Sequence, residues 1–311
     1  MLRSYYLYIS LILIGTVLFI GCDTDDVSDS MNKKDVEVNV ASINYEIGSI
    51  ESILRLPDVS SQGSRQGCAY YGGTLLVFHN TNDIVEVYDA ENLIMKSTFN
   101  MRERGFCNSE YHCNNANFSN TRYAPTDFYP LLYVSMENIN QHCILVFRIT
   151  GNLDCLDFDL IQTILLPAPS EIELFYPNCY VDTEKQSLWI SGYSTNNFYI
   201  SDDNNLKYIR FNLPDICVGS IVEFSAKDIQ QVDIFDSVSA TQGGCFFEGN
   251  LFQVFGITVP RHFMIFNLYE STIIHDNLLT LFDAEPEGLY IKEGLVYYIT
   301  EYYLLKINFK K

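Results

Sequence analysis

One unit recurs along this chain: a polar residue beside glycine or cysteine, an apolar stretch, a tight polar turn, then a second apolar stretch. Its first copy reads Gln66-Gly67-Cys68-Ala69-Tyr70-Tyr71, turns at Gly72-Gly73, continues Leu75-Leu76-Val77-Phe78, and resumes after Asn80-Thr81-Asn82-Asp83 as Ile84-Val85-Glu86-Val87-Tyr88. Later copies open near His112, Asn178, Gln242 and Glu287. Gly-Gly and Asn/Asp clusters between short apolar runs are hairpin signals. No long stretch carries the 3.6-residue period of an amphipathic helix, and the abundance of Tyr (22) and Phe (21) over a single Trp suits strands. The chain is therefore expected to be all-β.

The openings are 46, 66, 64 and 45 residues apart. The short spacings match one four-stranded blade of a β-propeller, roughly 40–50 residues. The longer ones leave room for loops but not for another whole blade. The last copy offers only three strands, ending with Leu304-Leu305-Lys306-Ile307. The stretch Ile50–Pro57, ahead of the first copy, has the character of a missing outer strand and would pair an otherwise open edge. The expected architecture is five four-stranded blades over residues 36–311, with the N-terminal strand closing the last blade; six blades is the alternative and a β-sandwich pair the third choice. Val36–Glu46 is expected as an extra strand or an external wrap.

Charge narrows the partners. Lys and Arg number 19 against 39 Asp and Glu, a net −20, so no nucleic acid is expected to bind, because such a partner needs a basic surface to release phosphate counterions. Hydrophobic residues at 48% exclude wholesale disorder.

The N-terminus reads as an address. Arg3 precedes an apolar run from Leu7 to Ile20, too short and too interrupted by Ser10, Gly15 and Thr16 for a permanent span. Phe19-Ile20-Gly21-Cys22 resembles the lipobox of bacterial lipoproteins. The resemblance implies a signal peptide over residues 1–21 and lipidation of Cys22, so that the protein meets the membrane through acyl chains. Residues 22–35 carry Asp23, Asp25, Asp26 and Asp29 and read as a flexible tether; their acidity is similar to the surface-export signal of Bacteroidota lipoproteins. The implied location is the bacterial cell envelope, as an outer-membrane lipoprotein, with surface exposure and a body facing the periplasm as the two alternatives. Asp29-Ser30-Met31 and Asp236-Ser237-Val238 resemble the short O-glycosylation acceptor of the same group.

Of nine cysteines, Cys68, Cys113, Cys179 and Cys245 fall in the inner segments, where a small apolar side chain suits tight packing near an axis. Cys107/Cys113 is the first disulfide candidate and Cys143/Cys155 the second. No Cys-x-x-Cys spacing supports a zinc site.

A propeller gathers the polar residues of its inner strands around the axis. Those residues are Gln66, His112, Asn114, Asn178, Asp182, Gln242, Glu285 and Glu287, the candidate ligand-binding set. Amides, an imidazole and carboxylates can hydrogen-bond a sugar or hold a hard cation such as calcium; no cofactor is required and no metal motif is present. Tyr123, Phe128, Tyr129, Tyr193, Phe198 and Tyr199, in or beside long loops, are the aromatic candidates for sugar or protein contact. No nucleophile elbow, P-loop, dinucleotide fingerprint or His-Glu-x-x-His occurs. The expected function is a lipid-anchored envelope module binding a glycan or partner protein through one propeller face. The alternatives are a glycosidase or lyase with a carboxylate site in the axial funnel, and a non-catalytic scaffold.

Overall fold

The computed structural model describes residues 44–58, 63–80, 84–106, 112–137, 141–196, 205–236, 238–257, 259–280 and 284–310. The signal peptide, Cys22, the tether, Cys107, Phe198, Tyr199, Ser30 and Ser237 lie outside them, as does all of Val36–Glu46 except its last three residues. Among the described residues no helix is long and apolar enough to cross a membrane.

Strand β1 (Ile47–Arg55) comes first. Blade one is β2 (Arg65–Tyr71), β3 (Thr74–His79), β4 (Ile84–Asp89) and β5 (Ile94–Asn100). Blade two is β6 (His112–Phe118), β7 (Leu132–Glu137), β8 (Cys143–Asn152) and β9 (Cys155–Leu165), followed by one helical turn, α1 (Pro169–Ile172). Next come β10 (Phe175–Asp182), β11 (Ser187–Tyr193), β12 (Asn205–Asn212), the short β13 (Ile221–Glu223) and β14 (Gln231–Asp236). Blade four is β15 (Thr241–Phe247), β16 (Asn250–Phe255), β17 (His262–Asn267) and β18 (Thr272–Leu278). The chain finishes with β19 (Pro286–Lys292), β20 (Leu295–Thr300) and β21 (Tyr303–Phe309).

Five separate sheets result, and the last has the order β1-β21-β20-β19. The N-terminal strand does supply the missing outer strand: β1 runs antiparallel to β21 with Ile50 opposite Ile307 and Leu54 opposite Leu304. The protein is a five-bladed β-propeller, neither six-bladed nor a sandwich. Blade three uses β10, β11, β12 and β14, while β13 leaves it to pair in parallel with β9 on the outer edge of blade two. That detour absorbs part of the long third spacing. Of the expected outer wrap, Tyr45 is buried against Phe252, His275 and Phe309, tying the chain's entry to blades four and five.

The pattern of apolar residues follows each strand's position in the blade. Middle strands lie between neighbouring blades, so both faces are covered; every residue of β3, β11 and β16 is buried. Each Leu, Val or Phe so covered is worth roughly 1.5–3 kcal/mol. The outer strands β5 and β18 are mostly exposed, and there Ile94, Ile273 and Ile274 reach solvent.

Two cysteine expectations resolve. Cys68, Cys113 and Cys179 are buried near the axis, in the packing role expected of them, whereas Cys245 is only half-buried and lines a mouth walled by Tyr70 and Tyr71. Cys143/Cys155 is not a disulfide. Cys143 pairs with Leu165 at one end of the β8/β9 hairpin and Cys155 with Asn152 at the other, and both thiols are free. Nine residues of strand, roughly 30 Å, separate them, far beyond the reach of an S–S bond.

Candidate functional site

The innermost strands β2, β6, β10, β15 and β19 converge on the axis and close it. A Cβ on Gly243 would stand 2.6 Å from Gly288 Cα, and one on Gly288 would stand 2.8 Å from Cys68 N; only glycine allows three backbones to meet there. Asn115, fully buried, bridges the gap that remains. Its Nδ2 donates to Cys179 O at 2.8 Å and to Gly244 O at 3.2 Å, and Ser135 Oγ receives its backbone N–H at 3.0 Å. The axis is therefore a plug with a mouth at each end, about one strand length, roughly 20 Å, apart.

Each inner strand carries a register irregularity near the same mouth: at Gln66, at Asn114-Asn115, at Tyr176-Pro177, at Gln242-Gly243 and at Glu287. Bulges re-aim side chains. Here they turn polar side chains towards the axis where strict alternation would place them in a blade seam. Gln66, His112, Asn114, Asn178, Gln242 and Glu285, joined by Glu137, line a depression of about 300 Å³. Six of the eight candidates thus share one mouth. Glu287 lies just behind them, 3% exposed, accepting from Gln66 Nε2 at 3.1 Å.

The hydrogen bonds of this mouth have a direction. Gln242 Nε2 donates to Glu285 Oε1 at 2.7 Å, Asn114 Nδ2 to Pro177 O at 2.9 Å and to Glu137 Oε2 at 3.3 Å, and Asn178 Nδ2 to Thr241 Oγ1 at 3.2 Å. Each amide nitrogen is turned to the protein. Asn178 Oδ1 and His112 Nε2 are buried with no hydrogen-bond partner among the described residues. Burial pushes the Glu285 carboxyl up to about 7, Arg261 and the Gln242 amide opposing only in part. Burial, then the neighbouring Glu285 and Glu301, push Glu287 further in the same direction.

Asp182 does not belong to this mouth. It ends β10 at the opposite one, where its Oδ1 accepts from the Glu184 and Lys185 backbones at 3.0 and 3.2 Å and its Oδ2 from Tyr269 Oη at 2.6 Å. Its position just before a polar turn looked like channel lining; the turn itself uses the carboxylate. This second mouth is larger, about 380 Å³, and is walled by Tyr70, Tyr71, Phe118, Phe247 and Tyr290, with Asn117, Asn120, Arg122, Glu184 and Glu248 among its polar lining. Tyr70 stacks on Tyr290 at 5.2 Å and Tyr290 on Tyr297 at 5.1 Å. Across the mouth Tyr71 packs on Phe118 at 5.6 Å, and Arg122 Nη2 donates to Tyr71 Oη at 2.8 Å. Sequence reasoning missed these rings. Their signal was an aromatic as the last residue of an inner strand, as in Tyr71 before Gly72-Gly73 and Phe247 before Glu248-Gly249.

Of the loop aromatics, Phe128 (58% exposed) and Tyr123 are open to solvent, the latter under the Arg148 guanidinium at 5.0 Å. Tyr129 and Tyr193 are buried instead. Their hydroxyls found partners inside, Tyr129 with Thr74 Oγ1 at 2.9 Å and Tyr193 donating to Ser239 O at 2.6 Å, and a ring with a satisfied hydroxyl gains by leaving water. Among the described residues no group of His, Cys, Asp and Glu side chains is arranged as a metal cluster.

No protein-family model matches this chain, and no curated protein is similar to it in sequence. Solved structures resemble it in architecture. Glutaminyl cyclase from Myxococcus xanthus is 9% identical, with 83% of this chain and 97% of that one covered and a TM-score of 0.48. A protein of unknown function from Bacteroides caccae is also 9% identical, with 76% and 70% covered and a TM-score of 0.41. Likenesses this distant say nothing about chemistry.

Proposed function

We propose that this protein is a binding module that takes a neutral glycan at its aromatic mouth and is held on the bacterial cell envelope, at the outer membrane, by a lipid on Cys22. The observation that carries the reading is the set of rings lining that mouth, Tyr70, Tyr71, Phe118 and Phe247, interleaved with Asn117, Asn120, Glu184 and Glu248. Rings offer flat apolar faces to the C–H face of a sugar, and carboxylates and amides meet its hydroxyls. The net charge of −20 disfavours acidic polysaccharides.

The glycosidase alternative is weaker on one specific ground. Retaining and inverting chemistry needs two carboxyls across the scissile bond, one of them raised in pKa. The raised pair, Glu285 and Glu287, stands at the amide mouth, away from the rings, and Asp182 at the aromatic mouth is committed to its turn.

Titration calorimetry of the purified protein against neutral oligosaccharides tests the reading. Binding is expected, and Phe118→Ala or Tyr71→Ala should weaken it roughly tenfold, the loss of one stacking contact. Absence of binding across a broad neutral panel would leave the partner-protein or scaffold reading; release of reducing ends would restore the enzyme. Palmitate labelling that disappears in Cys22→Ser tests the anchor separately.

A further inference from the structure

The amide mouth has a chemistry of its own that glycan binding at the other end does not use. An amide offers donors at nitrogen and an acceptor at oxygen. Gln66, Asn114, Asn178 and Gln242 come from blades one, two, three and four, and all spend nitrogen protons on protein acceptors. None of these bonds uses an amide oxygen. Two carboxylates, Glu137 and Glu285, line the same depression, and Asn178 Oδ1, in a side chain only 3% exposed, has no partner among the described residues. A buried acceptor without a donor costs free energy unless something supplies the positive end.

We propose that this mouth is a cation site, in which the side-chain oxygens of Gln66, Asn114, Asn178 and Gln242, with the carboxylates of Glu137 and Glu285, hold a hard divalent ion, calcium by preference. Neutral carbonyl oxygens mixed with two carboxylates, on five independent blades, make a wide and adjustable oxygen set. Calcium accepts six to eight such ligands with flexible geometry, whereas magnesium demands a compact octahedron and keeps its waters. Bound there, the ion would tie together blades one to five at the end of the axis opposite the glycan mouth. It would also add positive charge beside Glu285, whose burial Arg261 offsets only in part. His112, whose Nδ1 stands 3.6 Å from Glu137 Oε2, borders the site without being needed as a ligand.

The probe is calcium chloride alone, added to full-length protein stripped with a chelator, and followed by titration calorimetry and by thermal unfolding. One calcium per chain is expected, with a raised midpoint and magnesium at least tenfold weaker. Glu137→Gln and Glu285→Gln keep shape and hydrogen-bonding capacity, so each should fold; each should weaken calcium about tenfold, and the pair should abolish the single-site isotherm. Terbium luminescence excited through the nearby Tyr176 gives a second readout and should be lost in the same variants. No binding at 10 mM calcium, or binding unchanged in the double variant, would overturn the proposal. Because Tyr71→Ala and Phe118→Ala leave this mouth intact, failure of glycan binding and failure of calcium binding are read separately.

Discussion

Removing one buried arginine should test how the ring is closed. Arg65, fully buried at the start of β2, sends Nε to Glu86 Oε2 at 2.8 Å and Nη2 to Glu86 Oε1 at 2.9 Å. The same guanidinium donates to Pro57 O at 3.0 Å and to Glu301 O. One side chain thus joins blade one, the end of the closing strand and the last blade. Tyr88 Oη donates to Glu86 Oε2 at 3.0 Å, and His79 Nε2 stands 3.5 Å from Oε1. Burial raises the Glu86 pKa, but His79 and Arg65 outweigh it and hold the carboxyl below its ordinary value. Arg65→Met leaves a carboxylate that is 1% exposed without its main partner, which costs about 3–5 kcal/mol. Total stabilities are about 5–15 kcal/mol, so the loss is large. Arg65→Met with Glu86→Leu replaces both partners by apolar groups and should recover at least half of it. Urea unfolding followed through Trp189, the single tryptophan and fully buried, measures both. The pH dependence adds a sign. In the wild type the Glu86 contribution is present above about pH 4.5 and lost as pH falls through its lowered pKa; without Arg65, burial dominates and the variant should gain relative stability as pH falls. A single variant that loses under about 1 kcal/mol, or a double variant no better than the single, would refute the latch.

Three further outcomes are expected. Gly288→Ala should cost at least about 2 kcal/mol, because its Cβ would meet Cys68 N at 2.8 Å and a backbone atom there cannot yield; denaturant unfolding that matches the wild type would remove the axial plug from the account. Glu285 has a folded pKa raised from 4.5 to about 7, so its contribution is full below pH 4.5 and is lost as pH rises through 7. In a dry site the penalty would be about 3 kcal/mol; water in the mouth screens it to about 1 kcal/mol. In chelator, Glu285→Gln should therefore melt about 2–4 °C higher than the wild type at pH 8 and with it at pH 4. Thiol labelling of the native protein should modify exposed Cys155 but not Cys143 or Cys179, whose thiols burial pushes up to about 12; mass spectrometry of the labelled peptides decides.

How far the sequence could be read depended on the range of the interaction. Hairpin turns such as Gly72-Gly73, and the return of Gln66-Gly67, Gln242-Gly243 and Glu287-Gly288, are local statements, and they were enough to count the blades and to assign Ile50–Pro57 as the closing strand. Burial in middle strands was legible as continuous apolar runs, Leu75–Phe78 among them. The detour of β13 to blade two carried no comparable mark, since three residues in parallel pairing leave no period.

The candidate site divides along the same line. Residue type and position on inner strands named six of the side chains at the amide mouth. They did not show that Asp182 belongs to the other end, because which end of a strand faces which mouth is fixed only when the blades are set around the axis. They could not show that every amide turns its nitrogen inward, because the partners come from other strands: Glu287 for Gln66, Pro177 and Glu137 for Asn114. The sequence by itself determined the repeat, the blade count and the polar character of the inner strands, since these rest on turn chemistry and burial within each unit. Only the tertiary structure decided where the axis closes, which rings gather at one mouth and which oxygens are left at the other, because those outcomes depend on contacts between units that no single unit encodes.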